Sequence, residues 1–176
     1  MRSHCAPALA IAAVLGTTVV ASAADPQIER GKYLVVLGGC SDCHTPGYFL
    51  GKPDMSRFLG GSDVGFTIPG LGAFVGRNLT PDKDTGLGNW TTEQIVTAFT
   101  TGVRPDGRQL APIMPWDALA HLTPEDAQAI AAYLKSLPPV NHAVPGPFGP
   151  NETPSTLVFV IVPGAVYAGL PKPPPP

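Results

Sequence analysis

The sequence predicts an all-α fold broken by long loops, with a Pro-rich C-terminal tail. Three observations predict it. Three stretches carry apolar residues at helical spacing between recognisable caps. The run Cys40-Ser41-Asp42-Cys43-His44 follows directly on the first of them. Residues 45–89 are rich in Gly and Pro and too long for a bare loop, unless they wrap around something. A chain of 176 residues supports one core and is too short for two large domains. With 11 Lys and Arg, scattered, and a net charge of −2, nothing suggests a nucleic-acid binder.

Residues 1–24 read as a secretory signal. Arg2 gives a weakly positive start, residues 8–20 an apolar stretch, and Ala21-Ser22-Ala23-Ala24 a small-residue cleavage site. The apolar stretch is short for a membrane anchor and contains Gly16 and two threonines. Cys5 falls in the removed part. The mature chain then opens at Asp25 in the periplasm, with a domain over 25–140 and the tail over 141–176.

The first helix is expected over 26–38. Asp25 caps it, Pro26 takes its first position, and Ile28, Gly31, Leu34 and Val35 share a face. Gly31 lets another helix approach closely, and Gly38-Gly39 ends the helix. The second is expected over 92–101. Thr91 and Gln94 form a capping box, Trp90 and Ile95 a hydrophobic staple, and Gly102 the stop. A short helix is expected over 116–121. The third long helix follows Thr123 and Pro124, with Glu125 and Asp126 at its positive end and Ala127, Ile130, Ala131 and Leu134 as its stripe; Pro138-Pro139 ends it. In the tail, residues 157–162 are apolar but too few to span a membrane, so they are expected to pack as a strand or dock on a partner subunit. There is no internal repeat.

Two thiols three positions apart, with a histidine after the second, form the pattern for covalent attachment of a c-type haem. Each thiol bonds one vinyl group, and the histidine lies under the iron. Three other uses of the pair are weaker. A disulfide would close a very small loop and add little stability. A zinc site would need two more ligands, and only the distant His121 and His142 are available. A thioredoxin-like dithiol should follow a strand, and this pair follows a helix.

A second axial ligand should be a methionine or a histidine. Met55, Met114, His121 and His142 are available. Met114 is best placed: Pro112 and Pro115 stiffen its segment, and the third long helix follows soon after. Met55 lies in a polar loop. His121, which would give a bis-His iron, reads as a surface residue.

These residues resemble the class I c-type cytochromes over 27–140. The likeness is greatest to the small monohaem cytochrome subunits of periplasmic alcohol, aldehyde and molybdenum-hydroxylase dehydrogenases. It is carried by Gly31-Lys32-Tyr33-Leu34 through Cys43-His44-Thr45-Pro46, by Asn78-Leu79-Thr80-Pro81-Asp82 with Thr85-Gly86-Leu87-Gly88, by Gly107-Arg108 through Met114-Pro115-Trp116, and by Leu122-Thr123 through Ala132-Tyr133-Leu134. The resemblance implies a cytochrome c-like helical domain around one haem, with the first and third long helices crossing near Gly31 and Tyr133. It implies Cys40 and Cys43 as thioether sites and His44 and Met114 as axial ligands. Arg77, Trp90 and Arg108 are candidate donors to the haem propionates. Asn78-Leu79-Thr80 matches a glycosylation acceptor but is read as structural.

The expected function is single-electron transfer, from a periplasmic dehydrogenase toward a downstream cytochrome or oxidase, through a His/Met-ligated iron. The alternatives are a haem enzyme or a gas- or peroxide-responsive protein, which needs a labile sixth ligand, and an assembly subunit with an incidental haem. The tail offers a peripheral membrane or partner-subunit contact.

Overall fold

The computed structural model describes residues 25–171. The expected leader, with Cys5, lies outside the described residues. Among the described residues six α-helices and three strands follow in order, with two short 3-10 turns between α2 and β1: α1 (Pro26–Leu37), α2 (Cys40–His44), β1 (Val64–Ile68), β2 (Gly72–Val75), α3 (Thr92–Thr101), α4 (Trp116–Leu119), α5 (Pro124–Ser136), β3 (Leu157–Phe159) and α6 (Gly164–Ala168). Among the described residues no helix is long and apolar enough to cross a membrane.

The caps decide the helix boundaries. The Asp25 carboxylate accepts from the Gln27 N–H at 2.9 Å, and the Thr123 hydroxyl from the Asp126 N–H at 3.1 Å. At α3 both halves of the Thr91–Gln94 capping box are present. Helix α1 stops one residue earlier than its sequence suggests, with Gly38 as cap and Gly39 left-handed at φ 63°.

The core lies where α1, α3 and α5 meet. Val35, Ile95, Phe99, Ala127, Ile130, Ala131, Tyr133 and Leu134 are buried there, with Leu59 reaching in from the loop. Gly31 makes the α1–α5 crossing possible. A Cβ at this position would run into the Ala129 carbonyl and lie 2.7 Å from the Tyr133 Cβ. The crossing at Gly31 and Tyr133 therefore follows from close backbone approach. Arg30 locks the same pair of helices with two parallel hydrogen bonds to Asp126, at 2.8 and 3.0 Å.

The fold is not helical throughout. Residues 45–89 contain a hairpin, β1 antiparallel to β2, and the tail adds β3 parallel to β1 to give the order β2-β1-β3. The hairpin turns at Ile68-Pro69-Gly70-Leu71, with Gly70 at φ 77° and the Leu71 N–H donating to the Ile68 carbonyl at 3.0 Å. Proline followed by a left-handed glycine is the chemistry of a type II turn. The expected strand in 157–162 forms over its first half. It brings Phe159 against Phe49 and Phe66, with ring centroids 5.2 and 5.4 Å away. These rings form a second apolar cluster beside the cysteine motif.

Asn78 clamps the loop to the chain that follows α5. Its side chain is 1% exposed. Its amide N–H groups donate to the Thr85 hydroxyl at 3.0 Å and the Val140 carbonyl at 2.7 Å. Its carbonyl accepts from the Thr80 N–H at 3.0 Å and the Thr80 hydroxyl at 2.7 Å. A group so enclosed and so fully bonded carries no glycan in this fold, and the structural reading of Asn78 stands.

Candidate haem site

The left-handed Gly39 turns the chain out of α1 and straight into α2. This one short turn of helix carries Cys40, Cys43 and His44. Both thiols are free and part-buried. Burial pushes the Cys40 thiol up to about 11, and burial first, then Asp42, pushes Cys43 up as well. An activated dithiol would show the opposite shift. The pair follows a helix, as its sequence suggests. Among the described residues no three His, Cys, Asp or Glu side chains converge on a metal-sized site, so a zinc reading lacks its ligands.

His44 is held from the segment after β2. Its Nδ1 lies 2.6 Å from the Arg77 carbonyl oxygen. A carbonyl can only accept, so Nδ1 carries the proton and donates. Nε2 is left with its lone pair. A bond from one ring nitrogen to a backbone carbonyl is how a metal-binding imidazole is fixed in tautomer and orientation. Burial lowers the basicity of the ring, the Arg77 bond opposing it in part, and favours the neutral, ligating form. Gly76 allows the approach, because a Cβ there would collide with the Cys43 carbonyl.

The backbone around His44 is tied on three sides. Its carbonyl accepts from the Gly61 N–H at 2.8 Å. The next residue, Thr45, is buried, and its hydroxyl accepts from the Leu59 N–H at 3.0 Å. Leu59 is buried and left-handed at φ 57°, a conformation that costs about 1–3 kcal/mol. Its carbonyl accepts from the Leu79 N–H at 2.9 Å, which joins Thr45 to the Asn78 clamp.

Met114 sits in a tight turn. Its N–H donates to the Ala111 carbonyl at 2.9 Å, and its carbonyl accepts from the Trp116 N–H at 2.8 Å. The Trp116 ring closes over Gly102 at the end of α3, where a Cβ would come within 2.7 Å of it. Met114 and Cys40 are both part-buried against the same core cluster. Met55, by contrast, is 63% exposed, and His121 is exposed at the end of α4. His142 shares the Nδ1-to-carbonyl arrangement of His44, with the Gly60 carbonyl at 2.7 Å, but its segment is tied to the Asn78 clamp, where its N–H donates to the Thr85 hydroxyl at 3.0 Å. Met114 is thus enclosed where Met55 and His121 are exposed.

Of the three candidate propionate donors, Arg77 donates to the Val144 carbonyl at 2.6 Å, and Arg108 is exposed. Trp90 carries the Arg104 guanidinium over its ring, 5.3 Å from the centroid. Sequence reading missed Arg104. Its Nε is buried and, among the described residues, has no partner. An orphaned buried donor costs about 1–3 kcal/mol, and more for a charged group. Its only sequence signal is its place in Gly102-Val103-Arg104-Pro105, just after the end of α3.

These residues fit a covalently held haem. Two unbridged thiols, an imidazole with Nε2 available, a thioether bordering the same cluster, and a buried unsatisfied guanidinium N–H match the donors such a group requires.

The sequence model of the Cytochrome c family matches residues 28–138. The chain is 42% identical over 115 residues to the fructose dehydrogenase cytochrome subunit of Gluconobacter japonicus, covering 65% of this chain and 22% of that protein. It is 33% identical to the cytochrome c subunit of the quinone alcohol dehydrogenase of Gluconobacter oxydans, covering 73% and 25%. It is 32% identical to a diheme cytochrome c-type protein of Cereibacter sphaeroides, covering 66% and 38%. The chain thus spans well under half the length of these relatives.

Proposed function

Because the chain belongs to the Cytochrome c family, whose members bind haem c covalently and transfer electrons, we propose that it is a single-haem electron relay in the periplasm, serving a dehydrogenase. The observation that carries the reading is the His44 Nδ1–H bond to the Arg77 carbonyl beside two free thiols. When bound, the haem supplies a one-electron iron couple.

The residues of the chain then divide the work. Cys40 and Cys43 would hold the porphyrin by thioether bonds. His44 would hold the iron through Nε2, and Met114 would hold it through its sulfur. With both of these residues bound, the iron would have no position for oxygen or peroxide, which favours electron transfer. A thioether ligand and an apolar surround both raise the potential. A single Cys-x-x-Cys-His run in the chain supports one haem.

The donor is a dehydrogenase subunit, and the acceptor a downstream cytochrome or oxidase. The tail supplies a contact for such a partner. It carries no charged side chain from Thr153 to Pro171, and it leaves Ile161 83% and Tyr167 70% exposed. A chain ended near Asn151 tests this: unchanged stability with unchanged electron transfer removes both roles of the tail. Cell fractionation, with a mature N-terminus at Asp25, tests the periplasmic location.

Absorption spectra of the oxidised and reduced protein test the site. The expected result is one haem per chain with a Met–iron charge-transfer band in the oxidised form. Its absence, or rapid carbon monoxide binding to the reduced protein, overturns the His44/Met114 pair in favour of a labile site. A Met114→Ala variant that keeps the parent's potential does the same.

A further inference from the structure

In the turn before Met114, Arg104 and Arg108 stand on either side of one carboxylate, Asp106, which accepts from the Arg108 backbone N–H at 3.1 Å. Arg104 lies over Trp90 and forms an ion pair with Asp106 at 3.3 Å. The Arg104 backbone N–H donates to the Arg108 carbonyl at 3.0 Å, so the two arginines stand across one tight turn. Arg77 is close enough for both to depress its basicity, after the larger effect of burial. Like charges gather this way at a cost, and the cost is recovered when an anion lies among them.

The three are not equivalent. Arg77 gives an N–H to the Val144 carbonyl. Arg108 is exposed. Only Arg104 has a buried nitrogen with no acceptor among the described residues. The indole of Trp90 fixes the plane of its guanidinium, so the unpaired donor has a defined direction. Asp106, exposed, meets the guanidinium at Nη2, 3.3 Å away, and leaves Nε without an acceptor. The cluster joins the two sides of the site, since Arg77 carries the carbonyl that holds His44 and the Arg104 turn leads to Met114.

Resting on the haem reading above, we propose that Arg104, braced on Trp90 and tempered by Asp106, is the residue that binds a carboxylate of the haem, with Arg77 and Arg108 supplying the surrounding positive field. Arg104 is a positioning and potential-setting residue. It neutralises a negative charge near the iron and so favours the ferrous state. The charged groups facing it are Arg77, Arg108 and Asp106. Across Trp90 stands Lys135, whose ammonium donates to the Trp90 carbonyl at 2.8 Å, with Glu93 as its ionic neighbour.

The test is a redox titration of the intact haem protein from pH 5 to 9. It compares the parent with Arg104→Gln, Arg104→Lys and Asp106→Asn, and spectra report the axial ligands. Arg104→Gln should shift the potential down and add a pH-dependent slope near neutrality, because a haem carboxyl without its cation titrates higher. Arg104→Lys should restore most of the potential. Asp106→Asn, which removes the negative charge that offsets Arg104, should shift it up. A folded Arg104→Gln protein with the parent's potential and pH profile overturns the proposal. If that variant does not accumulate, Asp106→Asn without an upward shift overturns it. A parent that carries no haem would instead sink the electron-carrier reading itself.

Discussion

Arg77 holds the His44 ring with its backbone and not with its guanidinium: the Nδ1–H of His44 donates to the Arg77 carbonyl at 2.6 Å, while the side chain turns to the Val144 carbonyl. The imidazole is thus oriented by a main-chain atom that no substitution of Arg77 itself removes. The residue that controls the contact is its neighbour Gly76, which lets the segment close on the Cys43 carbonyl.

Gly76→Ala should push this segment away and break the bond to His44. A ring nitrogen that donates to a carbonyl makes the imidazole a stronger donor to its metal, which favours the ferric state. Losing the bond should shift the midpoint potential upward, with a stability loss of about 1–3 kcal/mol from overpacking. Redox titration and denaturant unfolding measure the two effects. An unchanged potential in a folded variant would show that the contact does not tune the iron.

Gly31→Ala should be the most damaging single-methyl change on α1. The added Cβ meets the Ala129 carbonyl and the Tyr133 Cβ, and neither can move without shifting α5. A loss of about 1–3 kcal/mol is expected. Alanine at the exposed Lys32 should be nearly neutral in the same unfolding experiment.

Asn78→Ala should cost about 2–3 kcal/mol, since it strands the Thr80 N–H and weakens the bonding of the Val140 carbonyl. Asn78→Asp keeps the size but loses the donors to Thr85 and Val140, and it places a carboxylate beside a carbonyl. Thermal melts should therefore rank Asn78→Asp no higher than Asn78→Ala. Near-parental stability for the aspartate would contradict the clamp.

The Arg30–Asp126 pair should give a pH signature. Hydrogen bonding to Arg30 holds the Asp126 carboxyl below its usual range and raises the Arg30 value. A depressed carboxylate stabilises the fold above the unfolded value, near pH 4, and loses that contribution as pH falls through the folded value. Asp126→Asn should lower the melting temperature at pH 7. The difference from the parent should shrink toward zero in acid. A constant difference from pH 7 to pH 2 would mean the effect is not ionic.

The helices were legible because their signals are local. Asp25, Thr91 and Thr123 cap within three residues, and the stripes of α3 and α5 repeat within two turns. The cysteine motif was legible for the same reason. The strand within 157–162 was legible too, but the hairpin it joins was not, although Val64, Phe66 and Ile68 alternate before Pro69-Gly70. Glycines on both sides of this run mask the alternation, and the third strand of the sheet lies far along the chain at Leu157–Phe159. Arg104 was hidden by another distance effect. Its meaning depends on Trp90 beneath it and on Arg77 across the site, which no window of sequence contains. The contact between His44 and Arg77 belongs to the same class.

The α1–α5 crossing at Gly31 and Tyr133 joins the first and last helices of the family-matched region. The shorter run from α3 to α5 buries only part of this core, and Val35 joins it only when α1 closes on α5. Everything between the two helices is then a circuit soldered at its ends. A nick in the exposed Pro69-Gly70-Leu71 turn would cut the wire without opening the joint, and the two fragments should travel as one particle until denaturant separates them.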